Sequence, residues 1–454
     1  MKKELIASIS GIRGVVGTTL TPDVVVKYAE AFAHFPGPGK IIIGRDGRHH
    51  GAELHDVLRR TLVASGRRVV DIGICPTPTV QLAVEHSNAA GGVIVTASHN
   101  PQEWNGLKFV NRNGVFLNAS ENKRFFRLAE KGTRVARNGS IGTTEDGSFF
   151  INDHLKRILA IRAIDPEAIG KRNFKVVLDA VNASGSVIVP RLLGALGCRV
   201  VPMNCEPTGI FPRKPEPLPE NITAVMRRVK REHADLGIVV DPDADRLVLV
   251  TERGEPFSEE YTIIQAIDFI FRKTSREKRI AVVNLSTTRA ADEVAKRRNG
   301  KIYRSAVGEI NVVEKMKKVR AEIGGEGSGG VILPEVHYGR DAMVGIALAL
   351  QNLLESGGTL SELKNALPRF EIVKKKITLG NERYGDVLQR IKRHYAKFNM
   401  NADDGLKIDA PDYWVHFRKS NTEPILRVIA EARTAEEAET RAAEAVKLIE
   451  RQYK

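Results

Sequence analysis

Short apolar runs alternate with segments of helical periodicity along the chain, and one order of elements occurs three times. Each passage begins with an apolar run, small polar residues and a helical pattern, at residues 40–50, 174–186 and 279–290. A second apolar run follows in each passage, at residues 67–78, 198–209 and 300–309. A third run ends in an unusual polar or glycine-rich turn, at residues 91–101, 235–246 and 321–330. Strands that alternate with helices are typical of βαβ units with mainly parallel sheets.

The threefold repetition predicts three similar α/β domains with mixed, mostly parallel sheets, followed by a smaller domain. The last segment has strand-like runs and an amphipathic helix, which together indicate an α+β domain; they lie at residues 373–380, 405–410, 413–420, 425–432 and 435–452. We therefore place the four domains at residues 1–147, 148–252, 253–369 and 370–454. Ligands of open α/β sheets bind beyond the carboxyl ends of the strands, where the three unusual turns are expected.

The net charge of +15 favours anionic partners, either nucleic acid or small phosphorylated substrates. A solvated surface is the simpler explanation, because the basic residues are scattered among acids and form no stripe with aromatics. The longest apolar runs, such as 344–350, are shorter than the roughly 20 residues that a membrane span needs. We also see no apolar signal core near the N-terminus and no Cys-x-x-Cys spacing. We therefore expect a cytoplasmic protein with no membrane or nucleic-acid partner.

Asp241, Asp243 and Asp245 alternate directly after the third apolar run of the second passage. Three carboxylates at this spacing can converge on Mg²⁺ or a similar hard cation. An EF-hand loop does not fit, because Arg246 stands at its sixth position, where that loop needs glycine. The alternative is an Asp-rich turn that only caps the backbone.

Ser98 follows the third apolar run of the first passage, next to His99 and near Lys108. Ser98 is a candidate nucleophile or carrier of a phosphoryl group. The alternative is that Ser98 and Asn100 cap a helix that begins after Pro101. A Ser-His-Asp hydrolase is disfavoured, because the Gly-x-Ser-x-Gly motif is absent around Ser98.

Three further stretches could bind a phosphorylated sugar. Glycines around Glu326 and Ser328 would let a ligand approach the backbone, and Glu326 could accept two hydroxyl hydrogen bonds. Arginines, hydroxyls and a turn of backbone N–H groups near the C-terminus could cradle a phosphate dianion; the residues are Arg418, Ser420, Asn421, Thr422 and Arg427. Arg13, between two glycines, could direct a fixed positive charge at a phosphate. Each stretch is also consistent with a plain surface turn.

Taken together, these stretches resemble the α-D-phosphohexomutase family over nearly the whole chain and in the family's order. The segment TASHNP resembles its phosphoserine loop, DPDADR its metal loop, GEGSG its sugar-binding loop and RKSNTEP its phosphate-binding loop. The resemblance implies three α/β domains and a smaller fourth domain around a central cleft. Two positions depart from the family pattern: Gly330 stands where His is frequent, and Asn421 replaces a usual glycine. Asn adopts positive φ more readily than most residues, so the second loop can keep its shape.

The resemblance implies an isomerase that interconverts hexose 1- and 6-phosphates through a phosphoserine and a bisphosphorylated sugar. It implies phosphate on Ser98, and Mg²⁺ held by Ser98 with the three aspartates. Charge stabilisation and proton transfer would involve Arg13, His99, Lys108 and Arg246. Substrate would contact Glu326, Ser328, Arg418, Ser420, Asn421, Thr422 and Arg427. A hexose bisphosphate is the expected activator, and the protein is expected to be a monomer or homodimer.

The expected reaction converts glucosamine 6-phosphate to glucosamine 1-phosphate, because the quoted stretches are most similar to the phosphoglucosamine mutases of this family. An alternative is the same chemistry on glucose or mannose phosphates. An alternative from another class is a non-catalytic protein that binds anions or nucleic acid through its basic surface. Nucleic-acid binding would fall steeply with salt and be indifferent to Ser98→Ala, whereas a mutase would lose turnover.

Overall fold

The computed structural model describes residues 5–132, 141–378, 384–419 and 425–450. The first domain is built on a seven-stranded sheet with the strand order β1-β2-β6-β5-β3-β4-β7. Its elements are β1 (Ile6–Ser8), β2 (Gly11–Val15), α1 (Pro22–His34), β3 (Ile41–Arg45), α2 (Gly51–Ala64), β4 (Val69–Ile74), α3 (Thr77–His86), β5 (Gly91–Val95), β6 (Trp104–Asn111), α4 (Ala119–Lys131) and β7 (Thr144–Asp146).

The second domain has a four-stranded sheet with the order β11-β10-β8-β9. Its elements are α5 (Phe150–Leu159), α6 (Pro166–Arg172), β8 (Lys175–Asp179), α7 (Gly185–Ala195), β9 (Arg199–Met203), α8 (Thr223–Glu232), β10 (Leu236–Val240) and β11 (Leu247–Thr251), with a short 3₁₀ helix at Pro219–Asn221.

The third domain has a four-stranded sheet with the order β13-β12-β14-β15. Its elements are α9 (Glu259–Lys273), β12 (Ile280–Asn284), α10 (Ala290–Arg298), β13 (Lys301–Ser305), α11 (Glu309–Val319), β14 (Ile323–Glu326), β15 (Gly330–Ile332), α12 (Ala342–Ser356) and α13 (Leu360–Ala366), with a short 3₁₀ helix at Arg276–Lys278.

The C-terminal domain is an antiparallel sheet with the order β16-β20-β19-β18-β17, accompanied by two helices. Its elements are β16 (Glu371–Thr378), α14 (Tyr384–His394), β17 (Asn399–Asn401), β18 (Leu406–Asp409), β19 (Trp414–Lys419), β20 (Ile425–Ala432) and α15 (Ala435–Glu450). The α+β expectation is confirmed, and the sequence patterns missed α14 and β17.

The first three domains share one strand arrangement, which confirms the predicted repetition. In each sheet the first strand of the passage lies between the second and third strands, and pairs with both in parallel. The third strand then pairs with an antiparallel strand that follows it directly in the chain. The third strands β5, β10 and β14 are buried along their whole length. The sequences of such strands are continuous runs of apolar or small residues, because both faces of the sheet are covered.

The cores of the first three domains are continuous with one another. One cluster of buried apolar side chains includes Ile42, Leu178 and Ile323, which belong to three different sheets. The C-terminal domain has a separate core around Phe417 and Val428. Among the described residues, no helix is long and apolar enough to cross a membrane.

Candidate active site at the ends of the third strands

Three loops leave the third strands at equivalent points of the three sheets. We name them the serine loop (residues 96–103, after β5), the aspartate loop (241–246, after β10) and the glycine loop (327–329, after β14). Their position follows from the shared topology, because each loop joins a buried parallel strand to its antiparallel neighbour. This edge of an α/β sheet is where ligands are expected to bind.

Ser98 stands at the tip of the serine loop with a φ of 51°, in the left-handed region that few non-glycine residues adopt. Its Oγ donates a hydrogen bond to Asp241 Oδ2 over 3.2 Å and lies 3.4 Å from His99 Nδ1. No helix follows Pro101, since β6 begins at Trp104, so the helix-capping alternative is wrong. A hydroxyl held in a strained loop against a carboxylate is typical of a functional group, because such strain persists where its surroundings enforce it.

Arg48, which the sequence analysis did not select, shapes the serine loop. Its buried guanidinium donates to four backbone carbonyls of one segment, those of Ser98, Asn100, Pro101 and Trp104, over 2.6–3.0 Å. Asp46 accepts from Arg48 Nε over 3.1 Å and from Thr96 Oγ1 over 2.6 Å. Asp46 and Arg48 follow the apolar strand β3 in the sequence, but nothing in that local pattern points to the serine loop.

The three aspartates of the aspartate loop converge as the sequence predicts. Asp241, Asp243 and Asp245 are fully buried, and one carboxylate oxygen of each lies within 4.8 Å of the others. Asp243 Oδ1 and Asp245 Oδ1 are buried and have no hydrogen-bond partner in the described part of the chain. Burying a carboxylate oxygen without a hydrogen-bond donor or a cation costs free energy. The donor set therefore fits a hard divalent cation such as Mg²⁺.

The second oxygens of two of these carboxylates are held by protein donors. Asp243 Oδ2 accepts from Thr77 Oγ1 and from Lys108 Nζ, both over 2.6 Å, and Lys108 Nζ lies 3.4 Å from Asp245 Oδ2. Burial alone would lower the pKa of Lys108, but the charges of Asp243 and Asp245 raise it on balance. Lys108 is therefore an ammonium group at neutral pH.

Burial is also the leading cause of the raised pKa of Asp241, and repulsion from Asp245 and Asp243 adds to it. For Asp243 burial opposes the charged form, but Lys108 lowers the pKa on balance. Burial and repulsion within the cluster therefore disfavour the ionised form of Asp241 in particular. A bound cation would offset that repulsion.

Arg13 and His99 lie at the same site. Arg13 Nη1 donates to Asn100 Oδ1 over 2.9 Å, and burial lowers its pKa to about 10. Burial, together with the positive charges of Arg246 and Arg13, lowers the pKa of His99 well below its usual value. The imidazole next to Ser98 is therefore neutral at physiological pH. Arg246 Nε lies 3.7 Å from Asp245 Oδ1.

Glu326 ends β14 at the glycine loop and is more fully occupied than the sequence analysis expected. Its Oε1 accepts from Asn284 Nδ2 over 2.9 Å and from Gly308 N over 3.0 Å, and its Oε2 accepts from Arg340 Nη1. Each carboxylate oxygen accepts about two hydrogen bonds, so this arrangement leaves room for one ligand hydroxyl on Oε2, not two. Ser328 is half-buried in the same loop.

The C-terminal arginines are paired in space. Arg418 and Arg427 are opposite each other in the β19–β20 pairing, so their side chains share one face of the sheet. Arg418 Nε donates to Asp404 Oδ2 over 2.7 Å, and Val307 N donates to the same oxygen over 3.0 Å. Since the next residue, Gly308, binds Glu326, this contact connects the fourth domain to the glycine loop. Ser420, Asn421 and Thr422 lie outside the described residues.

Family models of phosphoglucomutase/phosphomannomutase match the chain in four consecutive parts. The alpha/beta/alpha domain I matches residues 6–135, domain II residues 152–254, domain III residues 258–370, and the C-terminal domain residues 373–448.

Similar proteins carry two kinds of name. A protein of Thermococcus kodakarensis named "Phosphoglucomutase/phosphomannomutase" is 36% identical, over 98% of each chain. A "Probable phosphoglucosamine mutase" of Methanopyrus kandleri is 32% identical over 97% of each chain, and another of Pyrococcus horikoshii is 34% identical over 95% of this chain and 94% of that one.

Solved structures share the fold. The crystal structure of a phosphoglucomutase/phosphomannomutase family protein from Burkholderia thailandensis has a TM-score of 0.83 at 26% identity, covering 98% of this chain and 99% of that one. Parafusin, a phosphoglucomutase from Paramecium, has the same fold with a TM-score of 0.78 at 16% identity, covering 98% and 94%.

Proposed function

The chain belongs to the α-D-phosphohexomutase family and is an isomerase-type phosphotransferase that acts on phosphorylated hexoses, and on that premise we propose that it converts glucosamine 6-phosphate to glucosamine 1-phosphate. In this proposal Ser98 carries the phosphoryl group that is exchanged with the sugar. The contact of Ser98 Oγ with Asp241 Oδ2 carries the proposal, because it places a hydroxyl at a cluster of carboxylates that fits a cation.

Ser98 and the three aspartates would hold Mg²⁺. When bound, Mg²⁺ supplies a positive charge that offsets the charge developing on the transferring phosphoryl group. Arg246, Arg13 and Lys108 bring fixed positive charges to the same place. Neutral His99, 3.4 Å from Ser98 Oγ, lies within reach for proton exchange at the reacting oxygen, and its lowered pKa makes it a weaker base than a free imidazole.

The substrate would bind with its existing phosphate at Arg418 and Arg427, together with Ser420, Asn421 and Thr422. Glu326 and Ser328 would hold ring hydroxyls. Transfer breaks the bond from phosphorus to Ser98 Oγ and forms a bond to the free sugar oxygen, which gives a bisphosphorylated sugar. That intermediate turns over and returns its other phosphate to Ser98. A hexose bisphosphate activates the enzyme in this scheme by phosphorylating Ser98.

The names of similar proteins support the amino sugar. Several relatives at 32–34% identity are named phosphoglucosamine mutases.

Turnover of the 1-phosphates of glucosamine, glucose and mannose, with Mg²⁺ and a trace of hexose bisphosphate, tests this function. We expect the highest kcat/KM for glucosamine 1-phosphate, and no turnover by the Ser98→Ala control. Preference for glucose or mannose phosphate would overturn the proposed specificity. It would favour a phosphoglucomutase/phosphomannomutase activity, after which the Thermococcus kodakarensis relative is named. Reproducible phosphate on a serine other than Ser98, found by phosphopeptide mapping, would refute the proposed carrier.

A further inference from the structure

Arg340 joins the aspartate loop to Glu326, the last residue of β14 before the glycine loop. Its Nη2 donates to Asp245 Oδ2 over 2.6 Å, its Nε to Glu309 Oε2 over 3.1 Å, and its Nη1 to Glu326 Oε2. The side chain is 9% exposed, and its three carboxylate partners are buried. Three charge-assisted hydrogen bonds from one planar group fix the relative positions of three separate chain segments.

The backbone that carries Arg340 is itself held in place. The next residue, Asp341, donates its N–H to Val331 O over 2.9 Å, and Ala342 N donates to Ala244 O of the aspartate loop over 3.2 Å. The Asp341 carboxylate caps α12 by accepting from Met343 N over 2.8 Å. The guanidinium therefore extends from a fixed base and acts as a rigid connection.

Gly330 provides the space that the Arg340 side chain occupies. A Cβ atom at Gly330 would lie 2.2 Å from Arg340 Cδ and 2.8 Å from Arg340 Cγ. Gly330 is not among the described glycines with positive φ, so its backbone conformation does not require glycine. Because Gly330 pairs with Glu326 in the β14–β15 ladder, a side chain here would displace Arg340 directly beside Glu326.

We propose that Arg340 is a positioning residue of the phosphoryl transfer, and that glycine at position 330 exists to admit it. This inference rests on the proposed function, in which Asp245 holds the cation and Glu326 holds the sugar. Arg340 sets the position of one relative to the other, so that the sugar oxygen and the phosphoryl group are aligned. Lysine cannot replace it, because its three N–H donors sit on one nitrogen, whereas the three carboxylates are met by three different nitrogens of the guanidinium.

A double-mutant cycle on Gly330→Ala and Arg340→Ala tests this dependence. Each single variant should lower kcat/KM by about 100-fold, the effect of breaking a buried charged network. The double variant should be no worse than Arg340→Ala, because the added methyl group then has nothing to displace. Additive losses, or an Arg340→Ala enzyme with wild-type turnover, would overturn the proposal. Gly194→Ala is the matched control, since its Cβ would meet no atom within 4 Å.

Binding of Mn²⁺ as a probe of the aspartate loop, followed by electron paramagnetic resonance, separates positioning from general structural damage. Without Arg340 one positive charge and one donor leave Asp245 Oδ2, so Arg340→Ala should bind Mn²⁺ several-fold more tightly. A loosened fold would bind Mn²⁺ more weakly, and that result would contradict the proposal. If the wild-type enzyme turns over none of the hexose phosphates, the proposed function fails, whereas the Mn²⁺ measurement still decides whether Arg340 acts on Asp245.

Discussion

Ser98 Oγ donates a hydrogen bond to Asp241 Oδ2, and this 3.2 Å contact joins the first domain to the second. A phosphoryl group on Ser98 would therefore bring about two negative charges at neutral pH against three buried carboxylates. The phosphorylated protein should need a cation more than the unphosphorylated protein does.

Removal of divalent cations tests this dependence. We expect EDTA to lower the Tm of the phosphorylated protein markedly, and that of the dephosphorylated protein much less, because only the former gains uncompensated repulsion. Differential scanning calorimetry of both forms measures the effect. Ser98→Ala, which cannot carry the phosphate, should behave like the dephosphorylated protein. Equal shifts in the two forms would show that phosphate on Ser98 does not lie at the aspartate loop.

Arg48→Lys should lower kcat by more than its loss of stability can account for. A lysine cannot donate to the four carbonyls that Arg48 binds, so Ser98 would lose its fixed orientation, and we expect kcat to fall about 100-fold. Steady-state kinetics with a parallel Tm measurement checks this.

The chain offers a matched control for that variant. Arg67 also donates to four backbone carbonyls, those of Ala33, Pro36, Gly37 and Gly39, in a loop distant in sequence from the serine loop. Arg67→Lys should lower Tm and leave kcat near wild type. Similar losses of kcat in both variants would mean that Arg48 acts through overall stability alone.

Much of the fold could be predicted because β5, β10 and β14 are buried on both faces and read as runs in the sequence. Ser98 and the three aspartates lie in the loops that follow β5 and β10, and Glu326 ends β14, so the centre of the candidate site followed from the same pattern. The short β7 could not be predicted in this way, since its residues Thr144–Asp146 are polar and exposed.

The supporting residues could not be predicted from the sequence. Arg48 lies 50 residues before Ser98, and Arg340 lies 95 residues after Asp245, so no local pattern connects them to their partners. The same holds for Asp404. Its Oδ2 accepts from Arg418 Nε and also from Val307 N, which lies 97 residues earlier in the chain. Such residues become visible only when the domains are packed together.

Lys108 should act through its charge and not as a base. Asp243 and Asp245 raise its pKa, so the ammonium form persists at neutral pH and has no free lone pair to accept a proton. We therefore expect Lys108→Arg to keep at least about 10-fold more kcat/KM than Lys108→Met, since only Arg preserves the charge beside Asp243. Equal inactivity of the two variants, with Tm values equal to the wild type, would instead favour a proton-transfer role.

Glu260 gives the protein a pH-dependent stability. Burial raises the pKa of this carboxyl from 4.5 to about 8, and the nearby Glu259 and Glu431 oppose the attraction of Lys374. Its Oε2 lies 1.9 Å from the position of a Cβ at Gly327, so the carboxyl packs directly against the glycine loop. The unfolded chain releases this proton near pH 4.5 and the folded chain near pH 8, so Glu260 contributes stability that is lost as pH rises between these values.

Glu260→Gln should remove that loss, because glutamine keeps the shape and cannot ionise. Between pH 4.5 and 8 the Tm of the variant should fall less than that of the wild type. The reason is that the folded wild type binds about one proton more than its unfolded chain in this range, and the variant does not. Glu259→Gln is the control, because Glu259 also contacts Lys374, over 3.3 Å. This variant removes a charge that attracts Lys374 and keeps the buried carboxyl group of Glu260. If Glu260→Gln and the wild type show parallel profiles, Glu260 is already ionised in the folded protein. The glycine loop would then pack against a charged carboxylate at neutral pH.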